Sequence, residues 1–364
     1  MSEQKTCKMF ANKNEAKRYK KIKALNSGAF AQVDLAKDEI SGVQVALKRI
    51  PKKSLENVEE KDHPATEVCI HRKLKHKSII ELKGSYETEE EYVLVMEYGG
   101  SMDLFELIHK QDHLEDEKCK EIFLQVLDAV EYCHSQGVYH RDIKPENVLL
   151  CEGRVKLCDF GLATMDPISR DFGYGSLSYM APEVFGDYKA IDGYFSSSAD
   201  VWALGILIFN MRLGILPWFE ASRTDIYFDS FIKDPSSFKK NYNLSDEFTN
   251  LLKSCLELDP FKRCSLKKLR ILFEAIKEFR KKDSPKRRLS FESLAIATQK
   301  IEKLNWAECV DEDSEDESKS VDAYENTHAP YRSFTQDSLS RHCGLIAHVK
   351  EMEHQSYMNI LNVK

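Results

Sequence analysis

Residues 140–150 read HRDIKPENVLL, and residues 158–161 read CDFG. The first stretch sets Asp142, Lys144 and Asn147 on one short loop ahead of an apolar run with strand character. The second sets Asp159, Phe160 and Gly161 at the end of a predicted strand, VKLC. A lone His-Arg-Asp or Asp-Phe-Gly tripeptide occurs by chance and carries little weight. Here the two stand in order, each beside a predicted strand, and together they gather two carboxylates, an amide and an amine. The alternative makes Asp142 the cap of a turn and Asp159 a solvated strand end, and it needs both coincidences at once.

The residue types point to chemistry on phosphate. Asp159 and Asn147 offer the oxygen donors that a hard cation such as Mg2+ prefers. Asp142 can accept the proton of a hydroxyl held beside it. Lys144 can set a point charge against a phosphoryl group in transit. Such a reaction also needs a cradle for the phosphates. Val45-Ala46-Leu47-Lys48 reads as a strand that carries a lysine toward them. A buried lysine requires a carboxylate, and Glu67, nineteen residues on, lies on the helix that follows. Glu67 as a surface residue is the weaker reading, because His71 and Leu74 turn its face inward.

Outward from these motifs the chain divides. From Tyr19 to about Val95, short segments (IKAL, QVDLAKD, VQVALKRI, YVLVMEY) alternate or cluster apolar residues between turn signals. Inside this region Glu59–Leu74 has helical spacing. From Leu104 onward helices dominate, with Lys118–His134, Ala199–Met211, Asp246–Leu256 and Leu266–Phe279 the clearest. The expected architecture is α+β and two-lobed. A strand-rich N-lobe, 19–95, with one helix is followed by a mainly helical C-lobe, 99–275. Residues 1–18 read as a flexible arm, and 276–364 as a regulatory or disordered tail with a helix over 345–361. Leu345, Val349, Met352, Met358 and Leu361 give that helix an apolar face, for its own domain or for a partner.

Composition narrows the class. Among 364 residues, 42% are hydrophobic and 31% charged, the balance of a soluble globular protein. A net charge of −7 argues against a nucleic-acid partner. The ten cysteines include no C-x-x-C pair, which fits a reducing compartment and no zinc site. No signal-peptide core, lipidation motif or apolar run of membrane-spanning length is visible. The expectation is an intracellular protein, cytoplasmic, nuclear or both, without a membrane partner.

The motif set resembles that of the eukaryotic protein kinases. The likeness runs from Tyr19 to Phe273 and takes in Ala181-Pro182-Glu183, Asp200-Val201-Trp202 and Arg263. It implies an antiparallel sheet in the N-lobe, transfer of the γ-phosphate of ATP, with Mg2+, to protein substrates, and a structural ion pair between Arg263 and Glu183. Lys144 and Ser176 look like the serine/threonine branch. Asp142 and Lys144 are then catalytic, and Asn147 and Asp159 hold the metal. ATP is expected among Leu25, the phosphate loop Asn26-Ser27-Gly28-Ala29-Phe30-Ala31, Gln32, Lys48 and Glu67. Val33, Ala46 and Leu149 should sandwich the adenine, beside the gatekeeper Met96 and the hinge Glu97-Tyr98. Leu82, His71, Phe160 and His140 should stack between the lobes. The loop departs from the family's G-x-G-x-x-G by keeping only Gly28, which bears on ATP affinity and slightly favours the alternative of a pseudokinase scaffold.

The resemblance implies three further points. Arg141 would pair with a phosphate on the segment that follows Asp159, but the usual acceptor position is Phe172, so Asp171 stands in as a permanent carboxylate. Asp103 and Glu146 match acidic residues that hold arginines upstream of a target hydroxyl, while Asn210 replaces a further carboxylate. In the tail, Arg287-Arg288-Leu289-Ser290 reads as a phosphorylation site, a solvated basic patch or a nuclear-import signal. The activation segment and lower lobe are most similar to a fungal group that includes kinases restraining meiosis and others responding to nutrients.

Overall fold

The computed structural model describes residues 10–27, 31–55, 63–151, 153–186 and 193–281. Five strands form the first sheet: β1 (Tyr19–Ser27), β2 (Gln32–Asp38), β3 (Gln44–Pro51), β4 (Leu82–Glu87) and β5 (Glu91–Glu97), in the order β1-β2-β3-β5-β4. All neighbours run antiparallel. β3 lies at the centre, opposite Val33 and Leu94 at Lys48, so its lysine is fixed by pairing on both sides. Between β3 and β4 lies helix α1 (Pro64–His71), with proline in its first turn and the His63 ring accepting from Ala65 N–H.

The second lobe is helical: α2 (Leu104–Gln111), α3 (Asp116–Ser135), α4 (Ser196–Leu213), α5 (Ile226–Lys233), α6 (Ser237–Tyr242), α7 (Asp246–Cys255) and α8 (Leu266–Glu274). Two small two-stranded antiparallel sheets, β6 (Val148–Cys151) with β7 (Arg154–Leu157) and β8 (Ile168–Ser169) with β9 (Tyr194–Phe195), flank Asn147, Asp159 and the segment that follows them. Along α3 the buried residues Cys119, Ile122, Phe123, Val126, Leu127 and Val130 recur at helical spacing and face α4 and α8. α4 is buried on nearly every side, as its apolar sequence requires. The main core cluster runs through all these helices and reaches Phe160. Among the described residues no helix is long and apolar enough to cross a membrane.

Two expected boundaries are corrected. From Phe10 on, the arm is part of the first lobe: Ala11 N–H donates to Ser85 O at 2.9 Å, and Glu87 N–H donates to Ala11 O at 3.0 Å. A short 3-10 turn over Lys13–Arg18 follows, and the Arg18 guanidinium binds both carboxylate oxygens of Asp38. At the other end the lobe continues past 275, because Ile276 and Phe279 are buried and Phe279 packs 4.9 Å from Phe248. Hydrophobic contacts across the chain outweigh the polar local composition at both places. The predicted helix 345–361 and the Arg287–Ser290 site lie outside the described residues.

Candidate active site

Lys48 on β3 meets Glu67 on α1, with Nζ 2.8 Å from Oε1 and 2.9 Å from Oε2, and it meets Asp159 Oδ1 at 2.8 Å. Burial opposes a charge on the ammonium, but the carboxylates of Asp159 and Glu67 outweigh it and hold the lysine protonated. The charge of Lys48 keeps the Asp159 carboxyl well below the usual carboxylate range. Burial pushes the Glu67 carboxyl up. Gly161 leaves room for this triad: a Cβ there would lie 3.3 Å from both Asp159 Oδ1 and Lys48 Nζ. Asp159 itself has φ 61°, in the left-handed region that strains a side-chain-bearing residue.

Across the cleft, Asp142 is the hub of a second set. Its Oδ1 accepts from Ser176 N–H at 3.1 Å and Ser176 Oγ at 2.8 Å. Its Oδ2 accepts from Asn147 Nδ2 at 2.9 Å and lies 3.2 Å from Lys144 Nζ. Lys144 also donates to Ser176 Oγ at 2.6 Å. Although burial works against it, Asp142 and Glu146 hold the Lys144 ammonium charged. Asn147 spends its amide nitrogen on Asp142, donating also to the Asp142 carbonyl at 2.8 Å. Its carbonyl oxygen is the atom left to meet a cation. That oxygen and the ionised, half-exposed carboxylate of Asp159 are the donor chemistry Mg2+ requires, so the residues present fit the ion.

The loop under this set is held from α4. Asp200, buried, accepts from His140 N–H at 2.9 Å and Arg141 N–H at 2.8 Å, and its Oδ2 lies 2.7 Å from His134 Nε2. The motif Asp-Val-Trp was noted in the sequence, but this anchoring role was not read from it. An acidic residue inside the apolar run 199–211 was the available signal, since a buried carboxylate must find donors. Phe160 stacks between His71 at 4.7 Å and His140 at 4.9 Å, linking α1 to the catalytic loop as expected. Leu82, partly buried, packs on the neighbouring clusters.

Residues expected around the adenine come together in one apolar cluster. Ala46, Ile80 and Met96 are buried together, with Leu25, Val33, Leu149 and Cys158 packed around them. Ile80, Cys158 and Gly99 were not singled out. Gly99 matters because a Cβ would stand 2.7 Å from Ile80 Cδ1 and 2.8 Å from Leu149 Cδ1. In the hinge, Glu97 binds Lys156 at 2.8 Å through its side chain and donates its N–H to Glu81 O, while Tyr98 follows the end of β5. Asn26 pairs with Val33 and Ser27 with Gln32, so β1 and β2 carry the two ends of the phosphate loop and Ala31 precedes β2. Gly28, Ala29 and Phe30 lie outside the described residues.

Arg141 is turned toward the segment after Asp159. Its Nη1 donates to Asp171 Oδ2 at 2.8 Å and to Ser169 Oγ at 3.0 Å, and its Nε donates to Leu162 O. Arg263 forms the buried pair with Glu183, Nη1 to Oε1 at 2.5 Å and Nη2 to Oε2 at 3.0 Å. Asp103 caps α2 by accepting from Glu106 N–H at 2.8 Å, and Glu146 is exposed beside the catalytic loop.

Comparison with known proteins agrees with this geometry. The family described as protein kinase domain matches residues 19–271. The negative regulator of sexual conjugation and meiosis of Schizosaccharomyces pombe is 34% identical over 76% of this chain and 64% of its own length. Serine/threonine-protein kinase ksp1 of the same organism is 38% identical over 70% of this chain and 56% of its own. CBL-interacting protein kinase 11 of Oryza sativa is 33% identical over 70% of this chain and 50% of its own. The chain thus spans between 50% and 64% of the length of these relatives.

Proposed function

The chain belongs to the protein kinase family, and on that premise we propose that it transfers the γ-phosphate of ATP to serine and threonine hydroxyls of protein substrates. The observation that carries this reading is the Asp142 hub. One carboxylate is oriented by Ser176, Asn147 and Lys144, and a second constellation joins Lys48, Glu67 and Asp159. Asp142 aligns the attacking hydroxyl and takes its proton. Lys144 and Lys48 present fixed positive charge where negative charge develops, in a cleft that favours such interactions. Asp159 and the Asn147 carbonyl would hold Mg2+, which when bound neutralises phosphate charge. A scaffold without catalysis has no need of all five of Lys48, Glu67, Asp142, Asn147 and Asp159 in this arrangement. The test is ATP-dependent labelling of a generic basic protein by wild type beside Asp142→Asn. Labelled serine and threonine with wild type alone supports the reading, and equal labelling by both rejects it.

Asp103 and Glu146 extend the proposal to substrate choice. Both are acidic, both border the catalytic loop, and they favour arginines upstream of the target hydroxyl. Asn210 adds no charge to that pocket, so the preference is modest. A peptide covering Lys282–Leu294, with and without Arg287 and Arg288 replaced by Ala, tests it, and equal rates would remove the case. The residues beyond Lys281 are assigned a regulatory role, docking on a partner or on the kinase domain. We place the protein inside the cell, in cytoplasm, nucleus or both, a location suited to the seven described cysteines, all free thiols.

A further inference from the structure

Phe10 is 7% exposed although its sequence neighbourhood is polar. Its ring lies in a small cluster with Ile50 at the end of β3, Leu94 on β5, and Ala65 and Val68 on α1; Ala31, at the rear of the phosphate loop, packs against the same group. The helix it supports is only two turns long, too short to be stable without packing. That helix carries Glu67, adjacent to Val68, and its N-terminus is capped by His63. A second route reaches the same end: Phe10 lies 4.9 Å from Tyr92, and Tyr92 lies 4.9 Å edge-on to His63. The backbone of the segment is fixed as well, because Ala11 exchanges two main-chain hydrogen bonds with β4.

We infer that Phe10 is a positioning residue: the strapped N-terminal segment drives its ring between the sheet and α1 and so sets Glu67 within reach of Lys48. The inference rests on the kinase reading above. It makes the segment before the first strand a built-in support for the catalytic ion pair. A ring removed here leaves a cavity into which α1 can settle, and a small misplacement of Glu67 releases Lys48 from its place against the phosphates. The effect on rate is expected to be about tenfold or more, since displacements of about 1 Å at remote supports cost catalysis heavily.

The experiment uses the full chain with Phe10→Ala, Phe10→Leu and, as a control cavity, Phe279→Ala, which lies in the other lobe and is fully buried. Rates are normalised to folded protein. Phe10→Ala should lower kcat about tenfold with the peptide KM little changed, Phe10→Leu should restore most of it, and Phe279→Ala should lose stability with kcat retained. In a Glu67→Gln background Phe10→Ala should have almost no further effect, because both losses act through one contact. Amide exchange at residues 64–71 should rise in Phe10→Ala while α7 and α8 stay protected, and this readout holds whether or not the wild type labels protein. A wild type without activity rejects the kinase reading alone. Unchanged exchange at 64–71, wild-type kcat in Phe10→Ala, or losses from Phe10→Ala and Glu67→Gln that simply multiply would each overturn the positioning role.

Discussion

Arg141 donates Nη1 to Asp171 Oδ2 over 2.8 Å, so the arginine next to Asp142 already has a carboxylate from the segment that follows Asp159. Arg141 is also well buried, 7% exposed at its side chain, and Asp171 is 17% exposed, so solvent screens the pair only in part.

The first prediction follows from that pair. Protein made in bacteria and treated with phosphatase should retain its activity, and Asp171→Ala should lose about tenfold in kcat, the scale of one or two kcal/mol. Mass spectrometry and assay of the same sample decide it. Dependence on phosphate at Ser169 or Tyr174 would sink the idea.

Lys48→Met, Asp159→Ala and Asp142→Asn should each reduce phosphoryl transfer by about a thousandfold, since the first removes positive charge from the phosphates, the second a carboxylate that would hold Mg2+, and the third the group that takes the hydroxyl proton. The fold should survive. In Lys48→Met the Glu67 carboxyl, already pushed up by burial, can take a proton and avoid standing as a bare buried charge. Thermal melting beside a turnover assay separates the two effects.

His71 predicts a pH dependence of stability. Its Nε2–H donates to Ile80 O at 2.7 Å, its Nδ1 is buried without a partner, and burial brings the imidazole down from 6.5 to about 4. The unfolded chain therefore binds a proton at pH 5 that the native ring refuses. Stability is full above pH 6.5 and falls as pH drops toward 4, by about 3 kcal/mol in total. Urea unfolding across pH 4–7 should show this slope. His71→Leu, less stable at pH 7 for want of the Ile80 hydrogen bond, should close the gap with wild type as the pH falls.

Arg263→Ala should destabilise the second lobe by about 3–5 kcal/mol, because it strands the buried Glu183 carboxylate. Arg263 also donates to Ser198 O at 3.0 Å and Glu257 O at 2.9 Å, which adds to the loss. Calorimetry should show a lowered Tm, with kcat per folded molecule nearly unchanged in Glu183→Gln.

What could be read in the sequence was what short spacing encodes. His140 to Asn147, the Asp-Phe-Gly run and the Lys48–Glu67 separation each place chemistry within one loop or across one strand–helix pair, and all were found where expected. Long α3 was legible through its apolar periodicity and α4 through its continuous apolar run. Phe10 was missed because its partners are distant in the chain, and the predicted helix 266–279 ends at Glu274, so that Ile276 and Phe279 join the core from beyond it. β4, with Lys83 and Gly84 in its middle, has little strand character of its own and exists through pairing with β5. Asp200 was seen only as part of a motif, since nothing local reveals that two backbone N–H groups sixty residues earlier depend on it.

The bridge from Ala11 to β4 also bears on how the protein behaves in company. β4 is one of the two edge strands of the five, and an open strand edge recruits other chains. Ala11 occupies one hydrogen-bonding position of that edge, and the turn over Lys13–Arg18 lies against β4 just beyond it. A shorter chain that begins at Tyr19, where the family match starts, bares Leu82–Glu87 along its full length. Such a chain should self-associate more as its concentration rises than one that keeps residues 10–18, so the segment that looks most dispensable is the one that covers an open edge.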